Sequence, residues 1–249
     1  MARSLSIRGR FALAYLVMGA AVGAALGGFI VLAKRPAPKP APPWSSWQPG
    51  SSSRDGQVLE IASHIGSRYR LASGDQLNAV KIGPPDGSGS VRAIAVPKKS
   101  PPKTLGDFTR YDQSKNVIYI LCGAARNCSI TEGKPSNARG AVLRREALEL
   151  ALYTFKYEDP VDNVLVFFPP SSRKAKLSLT LFFHRDELDG RLDQPLRSTL
   201  PQALPPLPGR ITDTEQQTVD ALTGSSLYRY ITIGDAPGYG SVLVVQPVA

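Results

Sequence analysis

From Phe11 to Ala33 the chain runs for 23 residues without a charged side chain. As an α-helix this run is about 35 Å long, enough to cross a ~30 Å hydrocarbon core with some tilt. Arg3, Arg8 and Arg10 precede it, and Lys34 and Arg35 end it. A removed signal peptide would have an apolar core of roughly 7–15 residues followed by small residues at a cleavage site. Here the core is longer, and Lys34-Arg35 stands where cleavage would fall. We therefore expect an uncleaved anchor, residues 11–33, with the lipid bilayer as its partner and residues 1–10 as a short cytoplasmic tail. Gly19, Gly23 and Gly27 recur at four-residue intervals with Ala20 and Ala24 beside them. That spacing puts a smooth strip on one helix face, where a partner membrane helix or a second copy can pack closely.

The formal charge of +10 belongs mostly to the flanks of this run. Residues 1–54 hold seven Lys/Arg and no Asp or Glu, whereas residues 55–249 hold 23 Lys/Arg against 20 Asp/Glu. Nucleic-acid binding needs a concentrated patch that releases counterions from phosphate, and we expect none here. One local excess remains: residues 98–145 carry ten Lys/Arg against Asp107, Asp112 and Glu132. It reads either as a solvated surface or as a face for an anionic envelope component.

The positive flanks of the anchor tie, so they do not orient it. The ten-residue tail and the two closely spaced cysteines, Cys122 and Cys128, favour a C-terminal part outside the cytoplasm, where such a pair oxidises to a disulfide. The expected location is the cell membrane, single-pass.

Residues 34–55 form a Pro/Ser-rich linker. It contains Pro36, Pro38, Pro40, Pro42, Pro43 and Pro49, a stiff spacer, with Trp44 and Trp47 either at the membrane interface or docked on the domain. Residues 56–249 alternate helix and strand patterns. Val58 to Tyr69 has helical periodicity, and Leu77 to Ile82 and Val91 to Val96 read as strands around a Pro/Gly-rich turn. Val117 to Leu121 and Asn163 to Phe168 are continuous apolar runs, read as buried strands. Between them Ala141 to Tyr157 predicts a helix that buries Leu143, Ala147, Leu150, Ala151 and Phe155, with Arg144, Arg145, Glu146 and Glu149 over the other side. Strand, helix and strand in that order predict a βαβ unit with a parallel pair. Leu177 to Phe183 reads as a third strand. Asp213 to Leu222 reads as a helix capped by Thr212 with Glu215 completing a capping box, and Tyr228 to Ile233 with Val242 to Val245 as a terminal hairpin. The fold class is therefore α/β (α+β): one transmembrane helix plus a mixed-sheet domain.

Catalytic and metal motifs are missing from this pattern. Gly133-Lys134-Pro135-Ser136 precedes a helix but lacks the spacing of a phosphate loop. The helix start can still hold an anion through free backbone amides; Lys134, Arg139, Arg144 and Arg145 are the candidate residues, and an ordinary capped start is the alternative. His64 and His184 are the two histidines, too few for a zinc site. We expect no metal and no cofactor. The stretch Leu143 to Phe168 (LRREALELALYTFKYEDPVDNVLVFF) resembles the helix–strand segment of GerMN domains in membrane-anchored envelope proteins. It departs from them at Pro169-Pro170, where that family has a valine–aspartate–glycine turn. The whole chain also resembles single-pass membrane proteins of high-GC Gram-positive bacteria. The resemblance to GerMN domains implies a non-enzymatic envelope domain. The expected function is a membrane-anchored, extracytoplasmic binding or scaffold domain. The alternatives are an envelope hydrolase with its site near strand ends 122 and 169, or a cytosol-facing regulatory domain.

Overall fold

A computed structural model describes residues 7–34, 42–84, 91–99, 102–125, 128–130, 132, 134–172, 179–236 and 240–248. The chain divides into two compact units, Met1–Pro42 and Pro43–Ala249. The first contains one helix, α1 (Ile7–Ala33). Between Phe11 and Phe29 its mean hydropathy is 1.8 and none of the segment is buried. The chain thus has one N-terminal helix long and apolar enough to span a membrane. Nothing lies within 4 Å of where a Cβ would stand at Gly19, Gly23 or Gly27, so that strip is uncovered.

The second unit is built on an eight-stranded mixed sheet. Its strands are β1 (Ala79–Ile82), β2 (Val91–Pro97), β3 (Phe108–Asp112), β4 (Asn116–Cys122), β5 (Asn163–Phe167), β6 (Leu179–His184), β7 (Leu227–Ala236) and β8 (Gly240–Pro247). In space they run β1-β4-β5-β6-β7-β8-β2-β3. β4 and β5 are parallel, joined by α3 (Asn137–Tyr157), which is the expected βαβ unit. β7 and β8 are the expected antiparallel hairpin. The sequence pattern assigns no element to residues 104–112. β3 forms there because β2 offers it an edge, with Ile94 opposite Tyr111. The Pro/Gly-rich segment between β1 and β2 does not fold them into a pair: β1 pairs with β4, and β2 with β3 and β8. Residues 177 and 178 of the expected third strand lie outside the described residues.

Two cores flank the central strands. On one side Val117, Tyr119 and Leu121 of β4, Val164 and Val166 of β5, and Leu181 and Phe183 of β6 share a core with Leu143, Ala147, Leu150, Ala151 and Phe155 of α3. On the other, Ile118, Ile120, Leu165, Phe167 and Phe182 pack with Ile94, Leu243 and Val245. This second core requires the sheet to curl over itself. Tyr111 of β3 reaches Phe182 of β6 with ring centroids 5.2 Å apart, and Phe167 meets Tyr230 at 4.5 Å. Burial on both faces is why β4 and β5 are continuous apolar runs rather than alternating ones.

Four further helices complete the unit: α2 (Arg54–Gly66), α4 (Arg185–Leu192), α5 (Leu196–Thr199) and α6 (Asp213–Thr223). They correct the expected outer side of α3. Arg145, Glu146 and Glu149 are buried, 1%, 0% and 2% exposed, because α2, α6 and the segment 200–212 cover that side. The Arg145 guanidinium donates to Tyr69 Oη (2.5 Å), Glu149 (2.9 Å), the Gln202 carbonyl (3.0 Å) and Glu215. Arg68 adds bonds to Glu149 (3.3 Å) and the Ala203 carbonyl (2.6 Å). These charges pin a proline-rich segment that has little regular structure of its own. Glu215 therefore forms half of the expected capping box. Its amide is capped by Thr212, but its carboxylate turns to Arg145 and the Gln202 amide.

Glu146 sits in the same layer. It accepts from Asn78 Nδ2 at 2.7 Å, while Glu146 Oε1 and Asn78 Oδ1 are both buried acceptors without a donor among the described residues. Burial pushes the Glu146 carboxyl well above its ordinary range; the Asn78 bond pulls it down, and neighbouring Glu149 raises it further. A protonated Glu146 supplies the donor that this pair of acceptors lacks.

The two tryptophans dock on the domain. Trp44 meets Tyr153 edge-on at 5.1 Å, and Trp47 lies flat on His64 at 3.9 Å. The Trp44 carbonyl accepts from the Leu196 amide at 2.7 Å.

Candidate functional site: a cleft at the start of the central helix

The parallel pair β4 and β5 delivers two carboxyl ends to one edge of the unit, and α3 starts there. Crevices of this kind collect ligands because strand ends leave room and a helix start presents amide donors. The connection from β4 to α3 is held at several points. The Sγ atoms of Cys122 and Cys128 stand at disulfide distance, 2.09 Å, with Cα atoms 4.3 Å apart. The Gly123 amide donates to the Cys128 carbonyl at 2.8 Å, and the Ile130 amide to the Pro170 carbonyl at 3.2 Å. A Cβ on Gly123 would stand 2.3 Å from the Ser129 carbonyl oxygen, so glycine is required for this close approach. Cys128 takes a positive φ of 61° as the chain turns back.

Ser136 then caps α3, its hydroxyl accepting from the Arg139 amide at 3.2 Å, one turn earlier than the expected Ala141 start. A cleft of about 450 Å³ opens beside this first turn, between Ile130, Pro135 and Asn137 on one side and Phe168, Pro169, Leu179 and Leu227 on the other.

Of the four residues expected to hold an anion, Arg139 and Arg144 line this cleft. Arg139 is 6% exposed. Its Nη1 donates to the Glu132 carbonyl at 2.5 Å, but its Nε is buried with no partner among the described residues. Burial lowers the pKa of this guanidinium, and the nearby Glu132 charge offsets that only in part. Arg144 is half-buried and paired with Asp220 of α6 at 2.5 Å. Lys134 is exposed just ahead of the Ser136 cap and does not line the cleft. Arg145 points to the opposite side of α3, into the buried pairs with Glu149 and Glu215. The four residues thus separate into two that line the cleft, one outside it and one in the core.

Comparison with protein-family models, curated proteins and solved structures found no match to this chain.

The chemistry of the cleft therefore rests on its own residues. Among the described residues its titratable lining groups are the two arginines. Two cations beside a helix start are groups that can attract an anion. His184, at the far end of β6, is engaged elsewhere. Its Nδ1 is 2.6 Å from Asn163 Oδ1, and Asn163 donates to Asn116 at 2.8 Å, a polar row across β6, β5 and β4. Among the described residues no group of three His, Cys, Asp or Glu can hold a metal ion. Sequence reasoning missed Leu179, Ser171 and Leu227 as lining residues. Each arrives from a strand or loop remote from α3, and no local signal marks them.

Proposed function

We propose that this chain is a membrane-anchored domain on the outer side of the membrane that binds an anionic group, phosphate or carboxylate, of a cell-envelope component. The observation that carries the reading is Arg139: a guanidinium almost wholly buried at a helix start, lining a cleft, with Nε unpartnered. A buried donor without an acceptor is unfavourable by about 1–3 kcal/mol, more when charged, and an anion that reached Nε would remove that penalty. The helix start adds a favourable dipole. Arg144 adds a second cation, paired with Asp220. The disulfide-distance cysteines support an oxidising compartment.

The test is thermal unfolding of the full chain in detergent, titrated with inorganic phosphate and, separately, acetate. We expect one or both to raise the melting temperature of the native chain and to leave that of Arg139→Gln unchanged. The unliganded melting temperature of the variant separates lost binding from lost folding. Equal shifts for both proteins would sink the proposal.

A further inference from the structure

Among the described residues the helices pack on one half of the sheet's outer surface; on the other half Ala93 and Val244 are buried while Ile231 and Ile233 stand exposed. α2 packs on β1, α3 on β5 and β6, and α4 on β6. Over β7, β8, β2 and β3 the register sets two rows on the outer face: Ile231, Val244, Ala95 and Arg110 in one, and Ile233, Val242, Ala93 and Asp112 in the next. Ile231 is 57% exposed and Ile233 45%. An apolar groove of about 260 Å³ runs over these rows, with Leu105 and Phe108 along one side. Leu105, in the connection between β2 and β3, is 85% exposed.

The same connection is basic. Lys98, Lys99 and Lys103 flank Leu105, against one carboxylate, Asp107. Asp107 is turned inward: it accepts from the Lys103 and Thr104 amides at 2.7 and 2.9 Å and pairs with Lys99 at 2.7 Å. The Lys98 ammonium donates to the Gly106 carbonyl at 3.2 Å but stays exposed, so outward the connection presents Leu105 with Lys98 and Lys103 beside an apolar sheet face. Such a surface is complementary to a sheet of anionic head groups over hydrocarbon. It is poorly suited to a second copy, because a two-fold contact would set the same lysines against each other.

We propose that this face docks on an anionic bilayer surface, Leu105, Ile231 and Ile233 entering the interface and Lys98 and Lys103 lying on head groups. The proposal rests on the anchor reading above, and its test separates the two. The full chain is reconstituted in nanodiscs of phosphatidylcholine alone, or with phosphatidylglycerol added, and amide hydrogen exchange is followed. Segments 98–110 and 229–233 are expected to exchange several-fold more slowly on the anionic discs. Lys98→Glu with Lys103→Glu and Leu105→Ser should abolish that difference while exchange of 137–157 stays native. Lys99 is left in place because it holds Asp107. Equal exchange on both disc types overturns the docking. So does protection that persists in detergent and grows with protein concentration, which would assign the face to a second copy. A chain that an alkaline wash removes from the discs fails the anchor reading instead. The docking is then decided by whether the freed chain sediments with phosphatidylglycerol vesicles, and failure to do so overturns it.

Discussion

Glu146 shows most clearly what one residue's surroundings decide. In the sequence it stands among Arg144, Arg145 and Glu149, a charged group that by periodicity belongs on a solvated helix face. In the fold it is wholly buried, and its pKa is raised by burial first, then by Glu149. The folded state holds this proton to higher pH than the unfolded chain, whose carboxyl titrates near its ordinary 4.5. Stability from the group is then complete below that value and is lost as pH rises toward the folded pKa. Glu146→Gln keeps an acceptor for Asn78 Nδ2 and adds the missing donor without a titrating proton. It should leave stability unchanged at pH 4, raise it at pH 8, and flatten the slope between them, measured by urea unfolding. Identical slopes in the two proteins would show that Glu146 is not held protonated. The burial of Arg145, Glu146 and Glu149 was not legible locally, because their cover comes from residues 54–78 and 200–223, more than fifty positions away on either side. Arg139 was legible as a residue near a helix start. Its unpartnered Nε was not, since that depends on how Glu132 and the β5 exit close around it.

Among the elements, the β4–α3–β5 unit was the most legible. Two apolar runs and a long amphipathic helix between them leave few alternatives, and the parallel register follows from the connection. β3 was hard to see because its five residues include Thr109, Arg110 and Asp112, and its pairing partner β2 supplies what its own pattern does not. The tryptophans had two homes in the sequence; Tyr153, Tyr157 and His64 give them the one on the domain. The packing of α3 on the sheet has a direct check. Phe155 is 1% exposed, and the Arg185 guanidinium lies over its ring at 5.1 Å. Phe155→Ala should destabilise the unit by about 3–5 kcal/mol through lost burial and the cavity left behind. A loss below about 1 kcal/mol in the same urea experiment would mean that the ring is not part of the core.

For the molecule as a whole, the account joins three features: an apolar N-terminal helix, a cysteine pair at bonding distance, and a basic cleft at the exposed edge of a curled sheet. We propose that the helix lies in a membrane and that the sheet unit is exported, where the cysteines can oxidise. The flanking charges of the helix are equal on its two sides, so topology is the point on which the account can fail. The most direct measurement fuses reporters behind Ala249 of the full chain and reads them in the membrane fraction after a carbonate wash. We predict that a reporter active only after export is active and stays in the pellet with the full-length chain. Activity of a cytosol-only reporter at the same position, or release of the fusion from the pellet, would contradict the account.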